Sequence, residues 1–166
     1  MSGWPDDIES KAGSLISLFS ERGLMVATAE SCTGGLIAGA LTEIPGSSAA
    51  VDRGFVTYSN DAKIQMLGVS PATLDIHGAV SRQTAIEMAR GALTHSQADI
   101  TVAVTGIAGP GGGSADKPVG LVHLATASRT GNVLHREMYY GDIGRDAVRL
   151  ATVRTALEML NEAAAD

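Results

Sequence analysis

The chain carries one cysteine, Cys32, in 166 residues. A lone thiol excludes an internal disulfide and any site built from several cysteines, and a reducing cytosol suits such a chain. Basic residues are also short, with 12 Lys and Arg against 18 Asp and Glu and a formal charge of -6 at pH 7. That balance argues against a general nucleic-acid binder, while leaving room for a local basic pocket that takes one phosphate. Long apolar runs are missing too. None approaches the roughly 18 residues that a membrane-spanning helix needs. The start, Met1-Ser2-Gly3-Trp4-Pro5-Asp6-Asp7, is acidic where a secretory signal is basic and then apolar. The expectation is a soluble cytoplasmic protein with neither a membrane nor a nucleic-acid partner. The histidines at 77, 95, 123 and 135 show no HxxxH or HExxH spacing, so no metal site is expected.

What is present describes a folded chain. Hydrophobic residues make up 45% and charged residues 18%, enough to build a core. The length suits a single domain, taken as 1–166. The 20 glycines point to tight turns and close packing.

Ile8, Ala12, Leu15, Ile16 and Phe19 recur at helical spacing, with Gly23 as the stop. Leu24 to Ala27 reads as a buried strand, Leu36 to Leu41 as a helix, and Val51 to Tyr58 as a strand. Asn60 is a candidate N-cap for a short helix through Met66 and Leu67, closed by Gly68 and Pro71. Ser81 is a second N-cap candidate, before a helix with Ala85, Met88, Ala89 and Ala92 on one face. Ile100 to Val104 is a β-branched strand. Val119 to Ala127 and Val133 to Tyr140 form a hairpin around Thr130-Gly131-Asn132, and Leu150, Val153, Leu157 and Leu160 mark a C-terminal helix. Helices and strands alternate until the hairpin, which predicts a three-layer α/β/α sandwich with a mixed sheet.

Four stretches could carry chemistry. In Ala29-Glu30-Ser31-Cys32-Thr33-Gly34-Gly35, two hydroxyls and a thiol share a strand-to-helix turn. Ser31 or Thr33 there is either a helix cap or part of a site in which Ser31 is the nucleophile and nearby N–H groups hold an oxyanion. Cys32 is the rival nucleophile or a buried packing residue. Gly34 and Gly35 let a ligand come close. In Thr57-Tyr58-Ser59-Asn60-Asp61-Ala62-Lys63, Lys63 falls in the first turn of a helix, where the dipole and burial both favour a neutral amine. Asp61 opposes that, and a solvated surface lysine is the plain alternative; Tyr58 reads as packing.

The third stretch, Thr105 to Ser114, fits neither a P-loop nor a GxGxxG dinucleotide turn. It follows a buried strand, where open α/β sheets bind ligands, so Thr105, Gly106, Gly109, Gly111 and Gly112 are candidate binding residues. In the fourth, Arg145 and Arg149 share a helix face and suit either a phosphate or ion pairs.

Together with Gly78-Ala79-Val80-Ser81 and Lys117-Pro118-Val119-Gly120, these motifs resemble, in order, those of the CinA C-terminal domain family. The resemblance covers nearly the whole chain. Longer members carry a further N-terminal domain, so the chain is similar to the stand-alone form. The resemblance implies a nicotinamide-nucleotide amidohydrolase, converting nicotinamide mononucleotide to nicotinic acid mononucleotide and ammonia. It implies Ser31 as nucleophile, Tyr58 and Lys63 as assisting groups, and Thr105 in the same pocket. Thr33, Gly34 and Gly35 are expected beside the reacting amide, with the glycine loop and Arg145 on the phosphate. No cofactor is expected, and a homo-oligomer is the expected assembly. The alternative reading is a nucleotide-binding regulatory module without turnover.

Overall fold

The computed structural model describes residues 3–165; Met1, Ser2 and Asp166, the ends of the expected span, lie outside them. Helix α1 (Asp6–Arg22) buries the five apolar residues named above. Its first turn carries Asp6, Asp7 and Glu9, favourable charges at a helix N-terminus. Strand β1 (Val26–Glu30) is buried along its whole length. It starts later than the apolar run Leu24 to Ala27 and runs on through Thr28 and Glu30. Hydropathy alone misses these polar residues, which are buried all the same.

Helix α2 (Leu36–Thr42) leads to edge strand β2 (Val51–Val56) and helix α3 (Asn60–Leu67). The cap of α3 is Ser59, whose hydroxyl accepts from the Ala62 N–H at 3.0 Å, so Asn60 is the first helical residue and not the cap. Gly68 closes α3 as expected. Pro71 instead opens a further helix, α4 (Pro71–His77), where its missing N–H costs nothing. Helix α5 (Arg82–Thr94) is capped by Ser81, which accepts from the Thr84 N–H at 3.1 Å. Strands β3 (Ile100–Gly106), β4 (Leu121–Ser128) and β5 (Val133–Tyr139) precede the long helix α6 (Arg145–Ala164).

The sheet order is β2-β1-β3-β4-β5. The first three strands are parallel, and β4 and β5 run antiparallel as a hairpin. Helices α1, α2 and α6 pack on one face and α3, α4 and α5 on the other, which is the mixed three-layer α/β/α sandwich. Period two on β3 sorts its side chains: Val102 and Val104 join the α1–α6 layer, and Ala103 faces α5. On the α5 side, Ala29, Ala103 and Ala125 meet Ala85, Ala89 and Ala92. Such small residues let the helix approach until the Thr101 hydroxyl donates to the Ala89 carbonyl at 2.7 Å.

β1 has β2 on one side and β3 on the other, so the chain reverses its direction of travel across the sheet there. β1 leaves toward α2 on one face and β2 toward α3 on the other, while β3 runs into the glycine loop, and a crevice opens at the C-terminal ends of these strands. Among the described residues no helix is long and apolar enough to cross a membrane.

Candidate active site

Ser31 follows the last residue of β1, and its N–H donates to the Val104 carbonyl of β3 at 3.1 Å. That bond holds the turn over the crevice. Lys63 enters from α3, because the chain crosses from the end of β2 into a helix whose first turn faces inward. The residue as a whole is 1% exposed. Nζ lies 3.0 Å from Ser31 Oγ, 2.8 Å from the Thr57 carbonyl oxygen and 3.3 Å from that of Tyr58.

Carbonyl oxygens only accept, so two amine hydrogens go to Thr57 and Tyr58. In the neutral amine the lone pair is then left for the Ser31 hydroxyl. Burial pushes the Lys63 pKa below lysine's ordinary value, toward this neutral form, against a smaller opposing influence of Cys32. Asp61 does not offset it: that side chain is exposed and forms no ion pair with Lys63. Cys32 is the poorer nucleophile, since burial raises its thiol pKa to about 12 and keeps it protonated.

These groups line a cavity of about 310 Å³, near the lower end of the range for small-molecule sites. Ser31, Cys32, Tyr58, Lys63, Thr105, Gly106, Gly109, Gly111, Gly112 and Arg145 all lie on its wall, as do Asn60, Ala79 and Val80. Thr105 is fixed there by donating its hydroxyl to the Ala79 carbonyl at 2.8 Å. Arg145 reaches across the opening: Nη1 donates to the Gly109 carbonyl at 2.8 Å and Nη2 to the Tyr58 hydroxyl at 3.3 Å. Tyr58 is 64% exposed, so it is not the packing residue its place at a strand end suggested. It touches Lys63 through its backbone carbonyl, and its hydroxyl belongs to Arg145. The Gly109–Pro110 peptide is cis. Gly109 itself has φ +82° and packs so closely on Val119 that a Cβ would come within 2.5 Å of it.

Three expected binding residues are not on the cavity wall. Thr33 is 0% exposed, and its hydroxyl donates to Glu30 Oε1 at 2.5 Å. Gly34 faces Arg149, and Gly35 faces Val56. The α2 N-terminus is likewise already occupied: the Ile37 and Ala38 N–H groups donate to the Glu30 carboxylate at 2.9 and 3.0 Å. A chain carboxylate therefore takes the place that an anionic ligand would need.

Glu30 is the residue that sequence reasoning left without a role, and Arg149 takes one other than the phosphate or ion-pair contact expected of it. The only signal for Glu30 was an ionisable residue inside a buried strand, which must find donors. Arg149 does not join Arg145 on the cavity; Nε donates to the Cys32 carbonyl at 3.1 Å and Nη2 to that of Thr33 at 3.2 Å.

An α/β/α sandwich with a serine and a buried lysine at the strand ends is thus the class that the fold and site define. The chain belongs to the CinA C-terminal domain family, whose profile matches residues 8–164. It is 54% identical over 140 residues to the nicotinamide-nucleotide amidohydrolase PncC of Escherichia coli K12, covering 84% of each chain. It is 53% identical over 143 residues to a CinA-like protein of Geobacter sulfurreducens, covering 86% of this chain but 34% of that longer one. Among solved structures, the competence/damage inducible protein CihA of Agrobacterium tumefaciens superposes with a TM-score of 0.98 at 71% identity over the full length of both.

Proposed function

We propose that this chain is an amidohydrolase that removes the carboxamide nitrogen of nicotinamide mononucleotide, with Ser31 as nucleophile. The observation that carries the reading is the buried Lys63 amine, 3.0 Å from Ser31 Oγ and without a carboxylate partner. The E. coli relative's name supplies the substrate class, a nicotinamide nucleotide, of which the mononucleotide is the member proposed here.

Lys63 takes the Ser31 proton directly, since the Tyr58 hydroxyl is held by Arg145. Oγ bonds to the carboxamide carbon, and the carbonyl electron pair moves onto oxygen. The N–H groups of the turn after Ser31 are the donors for that oxyanion, apart from that of Gly34, which already serves the Ser31 carbonyl. Collapse breaks the C–N bond, and the protonated lysine delivers its proton to the leaving ammonia. Water then attacks the ester, gives its proton to Lys63, and restores Ser31.

Arg145 and the backbone of the Gly106–Gly112 loop fit the phosphate, whose binding energy orients the amide. The cavity wall carries the Arg145 guanidinium and no carboxylate.

Ammonia release from a panel of nicotinamide mononucleotide, nicotinamide riboside and free nicotinamide tests the reading. The mononucleotide is expected to be the best substrate. Tight binding of all nucleotides without ammonia would instead favour a regulatory binding module.

A further inference from the structure

Arg149 lies outside the cavity, yet both bonds of its guanidinium go to the turn that carries Ser31. Cys32 and Thr33 are the two residues directly after the nucleophile. A backbone carbonyl fixes the plane of its whole peptide unit, N–H included. With the Ser31 carbonyl taken by the Gly34 N–H at 3.1 Å, every carbonyl from Ser31 to Thr33 has a partner. Arg149 serves two of the three: it is the partner of the Cys32 carbonyl, and it shares that of Thr33 with the Leu36 N–H at 3.0 Å.

The turn is also shaped to admit that side chain. Gly34 has φ +56°, and a Cβ there would stand 3.2 Å from Arg149 Nη2. The far end of the turn is held from the opposite charge, by Glu30 through Thr33, Ile37 and Ala38. The guanidinium fork suits two carbonyls at once, which an ammonium cannot span.

We infer that Arg149 is a positioning residue for the reaction proposed above: through the Cys32 and Thr33 carbonyls, whose peptide units carry the N–H groups of Thr33 and Gly34, it fixes the Ser31 turn, aligning Oγ on Lys63 and the turn's N–H groups on the developing oxyanion. The inference rests on the Ser31 reading. Its cost therefore falls on the transition state and not on substrate binding, which uses the other wall of the cavity.

Arg149→Gln is expected to lower kcat by roughly tenfold to a hundredfold, below the loss for a deleted oxyanion donor, with KM within about threefold. Arg154→Gln, on the same helix as Arg149, removes only a surface pair with Asp7 of α1; it is the control and should leave kcat unchanged. Added guanidinium ion should partly restore Arg149→Ala. If the glutamine variant does not fold, Arg149→Lys carries the same test and should show the same split between kcat and KM. Equal kcat in these variants, or a fall that tracks their loss of folded protein, would overturn the inference.

A fluorophosphonate reports on the turn without nicotinamide mononucleotide, because labelling needs the serine and its oxyanion donors. Labelling of Ser31 should slow by at least about tenfold in Arg149→Gln, a fraction of what one oxyanion donor is worth. Labelled but ammonia-silent wild-type protein would refute the substrate and leave Arg149 tested. Unchanged labelling in Arg149→Gln would refute the positioning role.

Discussion

Lys63 has no ion-pair partner among the described residues, and its surroundings offer two backbone carbonyls and a hydroxyl. Charging the amine there is opposed by burial. The base works when neutral, so activity is lost as pH falls through the folded-state pKa and rises as pH passes it. A pH–rate profile should therefore show an ascending limb centred below lysine's ordinary 10.5. Lys63→Met should abolish turnover and that limb together. Stability carries the same sign. Between the folded pKa and 10.5 the unfolded chain binds the extra proton, so wild-type stability rises with pH across that window. Denaturation midpoints of wild type relative to Lys63→Met should climb there, and a flat difference would contradict a depressed pKa. Sequence reasoning singled out Lys63 from its place in a helix's first turn but left a surface lysine open, and the family resemblance supplied its role. It could not see that Tyr58 turns its hydroxyl to Arg145, since that contact joins residues 87 apart in sequence.

At the scale of elements, the turn between β1 and α2 depends on Glu30. Its carboxylate, on a residue only 1% exposed, accepts from one hydroxyl and two helix N–H groups. Glu30→Gln keeps one acceptor and turns the other into a donor facing a donor. Leaving such a buried group unpaired costs about 1–3 kcal/mol. A lowered urea midpoint is the expected outcome, with a fall in kcat because the Ser31 turn loosens. An unchanged midpoint would show that water or another group replaces the carboxylate. The order of elements was legible from periodicity and turn residues, including the hairpin and the caps at Gly23 and Ser81. What escaped was decided by tertiary contacts. β1 runs on to Glu30 because polar side chains were buried with partners. α4 hides behind Pro71, which signals a helix start as readily as a stop. Thr33, Gly34 and Gly35 looked like ligand-binding residues because their types suit a ligand, but Glu30, Arg149 and Val56 of the chain itself stand against them in turn.

For the whole molecule, the net charge of -6 contrasts with a cavity wall that carries Arg145 and no carboxylate. Under the proposed function that local positive charge is what favours a small anionic substrate. Arg145→Ala should shrink the preference for nicotinamide mononucleotide over its riboside by roughly tenfold to a hundredfold in kcat/KM, the worth of a charge-assisted hydrogen bond. An undiminished preference would move the phosphate elsewhere. The switch-point position of the crevice follows from strand order and was legible in outline, since the alternating elements already put the glycine loop at a strand end.

The central claim is that Ser31 attacks the carboxamide, and the most direct measurement is ammonia release by Ser31→Ala beside calorimetric binding of nicotinamide mononucleotide. The account predicts a kcat at least roughly 10³-fold below wild type, with affinity for the nucleotide within about threefold. Turnover in Ser31→Ala near the wild-type rate would contradict it.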